Sequence, residues 1–280
     1  MKIIGSDKGI HSPEFHKKKT REKRIKQAVV ALVVIIFVGV PIYLAHMQRF
    51  LISSIEVKGN DVTKSSDLQK IIADDLSGSY IWIFPRSNTA IYPHDKIVSD
   101  LLDKEPRLSS AVVERVGAKG LRVAVTERSA VAEYCKNISD PSTPLDCYFL
   151  DDTGYIFAPA PAFSGNVYLT YATEAPFDNP IGQSILDPAA VRASLGFERD
   201  LGSIGIYPRV FLAKGDEYHV LLSNGAEIMW NRSADFSQVV TNLASFLSDK
   251  SVKSDPTFLS RVAYIDMRFG NKIFYKFRGE

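Results

Sequence analysis

Twenty consecutive residues without a formal charge, Ala28 to Met47 (AVVALVVIIFVGVPIYLAHM), constrain this chain more than any other stretch. At about 1.5 Å per residue, a helix of that length reaches about 30 Å, the thickness of a bilayer's hydrocarbon core. A buried core helix keeps a polar stripe and runs shorter, so residues 28–47 are expected to cross a membrane. A cleaved signal peptide has a shorter apolar run and small residues before the cut, whereas here Tyr43 precedes Ala45, the only plausible site. The expectation is an uncleaved anchor.

Charge divides at that anchor. Residues 1–27 carry nine Lys and Arg against Asp7, Glu14 and Glu22, a net +6, while the whole chain of 280 residues sums to +2. The remainder is therefore about −4 (+2 less +6). Lys17, Lys18, Lys19, Arg21, Lys23, Arg24 and Lys26 crowd the start of the apolar run, and short basic flanks stay on the cytoplasmic side. Residues 1–27 thus read as a cytoplasmic tail, and everything after Gln48 is expected outside. Beside a membrane span, topology and anionic lipid account for this cluster, and nucleic acid is not expected as a partner.

About 230 residues follow the anchor, enough for two modest domains. Their two cysteines, Cys135 and Cys147, lie on the outer side, where a disulfide is permitted; two buried thiols are the other reading, and both stay open. Two cysteines alone do not make a structural zinc site.

In order, Leu51 to Val57 alternates as a strand and ends at Gly59-Asn60-Asp61. An amphipathic helix capped by Thr63 or Ser65 follows, with Leu68, Ile71, Ile72 and Leu76 at helical spacing. The connection Ser79 to Tyr92 contains Tyr80, Ile81, Trp82, Ile83 and Phe84, expected to cover the domain's own core, with docking of a neighbour as the alternative. Pro93 opens a second helix with Ile97, Leu101 and Leu102 inward, and Pro106 forbids its continuation. Two strands, Ser110 to Val116 and Leu121 to Glu127, flank a turn at residues 117–120. The pattern is β-α-α-β-β over residues 50–128.

Residues 129–280 read as strands with helices. Val131 to Cys135, Cys147 to Asp151 and Tyr155 to Ala158 are expected strands, separated by a Pro-containing loop, 136–146, and by Asp151-Asp152-Thr153-Gly154. One strand, Val167 to Tyr171, is expected before a helix beginning at Asp187-Pro188. Strands Arg209 to Ala213, Tyr218 to Leu222 and Glu227 to Trp230 follow, the last two joined by Ser223-Asn224-Gly225. Ser233 is expected to cap the clearest helix, with Phe236, Val239, Val240, Leu243, Phe246 and Leu247 on one face. Arg261 to Arg268 and Lys272 to Phe277 close the chain as strands around Gly270-Asn271.

With its basic tail and single span, this layout resembles the FtsQ/DivIB cell-division proteins. The likeness rests on Ile55-Glu56-Val57-Lys58-Gly59-Asn60, on Pro106-Arg107-Leu108 with Ala111 to Arg115, on Leu121 to Arg128, on the Asp-x-x-Gly hairpin, and on Val262 to Phe269. It departs at Ala118 and Ala130, where the family usually has proline. The resemblance implies an α+β architecture: an N-terminal transmembrane helix, a POTRA domain, then a mostly antiparallel β domain with helices. It also implies a place in the cytoplasmic (inner) membrane at the division septum.

No His-Glu-x-x-His, Gly-x-Ser-x-Gly, Ser-x-x-Lys or Gly-x-Gly motif occurs after the anchor. His46, His94 and His219 read as surface or half-buried residues, and turns and caps explain Asp74, Asp75, Asp151, Asp152 and Asp187. Neither catalysis, nor a cofactor, nor a small-molecule substrate is expected.

The last strand is the candidate binding element. Ile273, Tyr275 and Phe277 alternate with Phe274, Lys276 and Arg278, and three residues follow it in this sequence, so no later segment is expected to cover it. An open edge captures a partner by backbone pairing, whereas a capped or internal strand would carry those charges only to deter aggregation; the alternation fits either. The resemblance favours the first, because the family recruits the coiled-coil membrane proteins FtsB and FtsL through its final strand region. It assigns that contact to Arg268 and Phe269, and by position to Lys272, Phe274, Tyr275, Lys276 and Phe277. The expected function is a non-enzymatic divisome scaffold. The alternatives are a POTRA factor for outer-membrane or polypeptide transport and a tethered enzyme of wall metabolism.

Overall fold

A computed structural model describes residues 13–136, 138, 146–163, 165, 167–270 and 272–279, the first eight by backbone only. Most of the Pro-containing loop after Lys136, Asn271 of the closing turn, and the side chains of Lys17, Lys18 and Lys19 lie outside the described residues.

The fold is mixed α+β, with one apolar N-terminal helix and a large, mostly antiparallel sheet. Helix α1 (Pro13–Ala45) is continuous, so the basic stretch and the apolar run form one rod. Its part Arg21–Ala45 has a mean hydropathy of 2.8 in its most apolar stretch, long and apolar enough to cross a membrane. Arg21, Lys23, Arg24 and Lys26 are exposed along it. A 3-10 turn, Gln48–Phe50, leads out of it.

The remaining elements follow as β1 (Ser54–Lys58), α2 (Ser65–Leu76), β2 (Ser79–Tyr80), β3 (Phe84–Pro85), α3 (His94–Lys104), β4 (Leu108–Val116) and β5 (Gly120–Glu127). Then come β6 (Ala132–Lys136), β7 (Asp146–Leu150), β8 (Ile156–Pro159), β9 (Thr170–Thr173), α4 (Pro188–Ser203), β10 (Pro208–Lys214), β11 (Glu217–Leu222) and β12 (Glu227–Asn231). Helices α5 (Phe236–Ser248), α6 (Lys250–Lys253) and α7 (Phe258–Arg261) precede β13 (Val262–Phe269) and β14 (Lys272–Phe277). Contacts divide the chain into two units: residues up to Leu101 with Ala111–Val125, and Leu102–Ser110 with everything from Thr126.

In the first unit the sheet order is β1-β5-β4, with β1 parallel to β5 and Ile55 opposite Leu121. Leu68, Ile72 and Leu76 of α2, Ile97 and Leu101 of α3, and Leu121, Val123 and Val125 of β5 are all buried, as the helical and alternating spacings predict. Lys64, not Thr63 or Ser65, occupies the N-cap of α2; Ser65 instead shares hydrogen bonds with the Asn60 side chain. Gly59 is needed where β1 ends: its φ is +85°, and a Cβ there would stand 2.2 Å from the Val125 carbonyl oxygen. Gly59→Ala is therefore expected to cost the first unit roughly 2 kcal/mol or more. The urea midpoint reads this directly, and an unmoved midpoint would remove the requirement.

The connection from Ser79 to Tyr92 departs from expectation. It folds as a tight hairpin, β2–β3, whose tip leaves Ile81 84% and Trp82 98% exposed, so these residues do not cover the core. The reason is local: Ile83 N–H donates to the Tyr80 carbonyl at 3.0 Å, and Ile81 (φ 49°) and Trp82 (φ 58°) both take the left-handed conformation. Such backbone turns the side chains out of the unit, and holding each non-glycine residue there costs on the order of 1–3 kcal/mol.

The second unit is built on a nine-stranded sheet ordered β14-β13-β12-β11-β10-β9-β6-β7-β8. Its core joins Trp230, Phe211 and Tyr218 of the sheet to Phe197 and Leu201 of α4 and Val239 and Leu243 of α5. Phe197 and Trp230 ring centroids are 4.9 Å apart. Asp187 caps α4 with its carboxylate on the Ala189 and Ala190 N–H groups. The cap of α5 is Asp235 rather than Ser233: the helix begins at Phe236, and a capping oxygen must come from the residue before it. Strand β9 lies later than expected, because pairing with β6 and β10 starts only at Thr170.

Cys135 and Cys147 stand directly opposite in the β6–β7 register and are joined by a disulfide, with Cα atoms 4.1 Å apart. The hairpin after β7 is held by Asp151. Its Oδ1 accepts from Thr153 N–H (2.9 Å), Thr153 Oγ1 (2.6 Å) and Tyr155 N–H (3.0 Å), and its Oδ2 accepts from Arg128. Arg128 also donates to the Pro106 carbonyl at 3.1 Å and lies 4.1 Å over the Tyr155 ring. Burial pushes the Asp151 carboxyl up, but these donors together outweigh it and hold it below the usual carboxylate range.

Candidate protein-binding edge

The two edges of the nine-stranded sheet are treated differently. At the β8 end, Ile156 N–H donates to Gln183 (2.9 Å) and Gly182 N–H donates to the Ile156 carbonyl (2.8 Å), so the segment around residue 182 covers that edge. At the other end β14 pairs antiparallel with β13 alone, and among the described residues no strand lies on its outer side. Its outward backbone groups are a template for one more strand.

Side chains on β14 alternate between two faces. Ile273 and Phe277 pack on the core, and the Tyr275 ring lies 5.7 Å from Phe246 and 5.1 Å from Phe258, so this face is turned toward α5 and α7. Tyr275 keeps 45% of its surface exposed. On the opposite face Phe274 is 50% exposed, and its ring meets Phe269, itself 58% exposed, edge-on at 5.4 Å. A bulge brings these rings together: the β13–β14 register shifts between Asp266 and Phe269, leaving Met267 and Arg268 opposite Ile273 alone. Lys272 and Lys276 are exposed beside them, and Tyr264, Asp266, Phe269, Lys272 and Phe274 line a shallow hollow.

Arg268 has a different setting from the other candidates. Its guanidinium donates to Asp266 at 2.9 and 2.6 Å and to both Glu217 carboxylate oxygens at 2.9 and 3.0 Å. Glu217 and Glu227 in turn bracket buried His219, at 3.0 Å from Nε2 and 2.6 Å from Nδ1. Arg268 holds Asp266 below its ordinary value, holds Glu217 down with help from His219, and is itself raised by both carboxylates. Arg268 thus braces the sheet beside the aromatic pair, its guanidinium 5.9 Å over the Phe269 ring, with its charge already matched. Sequence reasoning passed over Glu217 and Glu227, and its reading of His219 as surface or half-buried is corrected: the ring is buried, because strand pairing sets it between these two carboxylates. The signal was there in part: the turn at residues 223–225 sets Glu227 opposite Leu221, diagonal to His219.

Among the described residues the one group of convergent metal-ligand atoms is Glu133, Cys135 and Cys147, and the disulfide leaves neither cysteine a thiolate. The Glu133 carboxylate accepts from Thr170 at 2.8 Å. Among the described residues, the arrangement at β14 offers one unpaired strand edge, two solvent-facing rings and two lysines. Together with α1 it defines a class: a protein with a membrane-length helix and an open β edge. No family model matches the chain, and no curated protein matches it.

Proposed function

We propose that this protein is a non-enzymatic, single-span scaffold of the bacterial division complex, with its N-terminus in the cytoplasm and its two folded units outside. It captures coiled-coil membrane division proteins of the FtsB/FtsL kind during septation by adding one of their segments to β14. The observation that carries this reading is the asymmetry of the sheet: one edge is covered by its own chain, and no described residue covers the other. Backbone pairing supplies affinity, Phe269 and Phe274 supply an apolar anchor, and Lys272 and Lys276 favour an acidic partner segment.

A POTRA reading of the first unit is supported by the order β1-α2-α3-β4-β5 and the sheet order β1-β5-β4, with the β2–β3 hairpin as an insertion. Two motifs behind the resemblance have structural work: Gly59 abuts Val125, and Arg128 meets the Asp151 hairpin. The basic side chains of α1 support the orientation.

The test uses the full chain in its native cells, with a photoreactive phenylalanine analogue at position 274 and, separately, a fluorescent fusion. The expected result is a crosslink to a single-span coiled-coil protein, fluorescence at midcell, and filamentation or unseparated cells on depletion. Crosslinking to a barrel protein would favour a transport role, and uniform fluorescence with normal division would overturn the proposal.

A further inference from the structure

The β2–β3 hairpin plays no part in the β14 edge, yet it displays an almost fully exposed tryptophan at a tight turn. The two central positions of such a turn favour Asn-Gly, because both need φ above zero. Here they hold Ile81 and Trp82, large apolar residues with 84% and 98% of their surface uncovered. A turn that faces water gains nothing from this choice in either backbone or solvation.

Position supplies the reason. The base of the hairpin is tied to the end of α1: Asn88 Nδ2 donates to the Ala45 carbonyl at 3.0 Å, Thr89 N–H to Phe50 at 2.8 Å, and Ile52 N–H to Ser87 at 2.8 Å. Strand β3 lies against α1 itself. Residues 21–41 of the helix are exposed throughout, whereas Ile42 and Ala45 are half-covered, and both belong to the apolar run. Phe84 and Pro85 therefore sit at the depth of the last turns of the helix, and Trp82 is two residues beyond Phe84, less than about 10 Å of chain. Arg86 lies 5.6 Å over the Tyr80 ring in the same hairpin, and Arg49 is exposed at the helix exit. Tryptophan, tyrosine and arginine gathered at the end of an apolar helix make up the composition of a membrane–water interface.

We infer that the hairpin tip is a lipid anchor: Ile81 and Trp82 sink into the headgroup and upper acyl region of the same bilayer that α1 spans. The first unit then has two attachments to the membrane instead of one, which fixes its tilt. This rests on α1 being a membrane span.

The full chain is reconstituted in vesicles of phosphatidylethanolamine and phosphatidylglycerol, without other proteins. The chain has two tryptophans, and Trp230 is fully buried, so subtracting the Trp82→Phe spectrum isolates Trp82. Lipids brominated near the glycerol end of the acyl chain are expected to quench Trp82 about two-fold or more, and iodide to quench it only weakly, as for an interfacial ring. Strong iodide quenching with no effect of brominated lipid overturns the inference. Protection from both quenchers also overturns it, since protein would then cover the tip. Failure of the chain to insert would remove the membrane reading of α1 and the anchor with it; insertion with an iodide-accessible Trp82 would remove the anchor alone.

Discussion

Replacing Arg128 by methionine is expected to destabilise the second unit by roughly 3–5 kcal/mol at neutral pH, the usual cost of stripping a buried charge of its partner. Asp151 is buried, and the Arg128 side chain retains little exposure, so solvent cannot take over the lost role. The damage spreads because one guanidinium joins three places: the Asp151 carboxylate, the Pro106 carbonyl and the Tyr155 ring. Urea unfolding of the full chain in mild detergent, read by Trp230, measures it. The effect also has a pH signature. The folded Asp151 carboxyl lies below its ordinary value of 3.8, so its contribution is fully present above that value and is lost as pH falls through the lower, folded one. The gap between native and Arg128→Met chains should therefore stay constant near neutrality and close in acid. A gap that persists unchanged in acid would assign the loss to packing of the arginine stem instead.

Partner capture should fall about 30-fold or more when Phe269 and Phe274 are both replaced by glutamate, the loss expected when an aromatic anchor worth at least about 2 kcal/mol is removed. Both rings are largely exposed, and their contacts within the fold are slight: each meets the other edge-on, and Arg268 lies 5.9 Å over the Phe269 ring while remaining held by Asp266 and Glu217. Co-purification from native membranes with the full-length chain reads the loss, and the midpoint of urea unfolding checks that the unit is intact. Lys276→Ala is expected to weaken capture far less, because a rim charge in water contributes little. Equal capture by the double variant and the native chain would take the β14 edge out of the proposed function. Phe277 is unsuitable for this test, since it packs on the core beside Phe258.

Much of the fold was legible in the sequence. Leu68, Ile72, Ile97 and Leu101 recur at helical spacing and are buried; Leu121, Val123 and Val125 alternate and are buried. These patterns are local, since a period of 3.6 or 2 exposes its apolar face within one short segment. What failed was also instructive. The Tyr80–Phe84 stretch looks like core by composition, but a tight turn with positive φ at Ile81 and Trp82 turns it outward. Ser233 looked like a cap, but the turn through Ala234 delays the helix to Phe236 and gives the task to Asp235. At the candidate edge, alternation separated the two faces of β14 correctly, yet the pairing of Phe269 with Phe274 depends on a bulge in β13 that no periodicity reveals.

Hydropathy alone determined that residues 28–47 are long and apolar enough to span a membrane, and local period determined most strands and helices. Those properties are set by residues within a few positions of one another. Only the tertiary structure decided that β8 is covered and that β14, among the described residues, is not, that Arg268 is matched by Glu217 and Asp266, and that Trp82 stands in the open at the tip of a hairpin whose second strand lies against α1. Each of these is a relation between segments brought together by sheet order, where Arg268 and Glu217 meet across 51 positions of chain. Sheet order follows from how whole faces pack, and no short window of sequence contains that information.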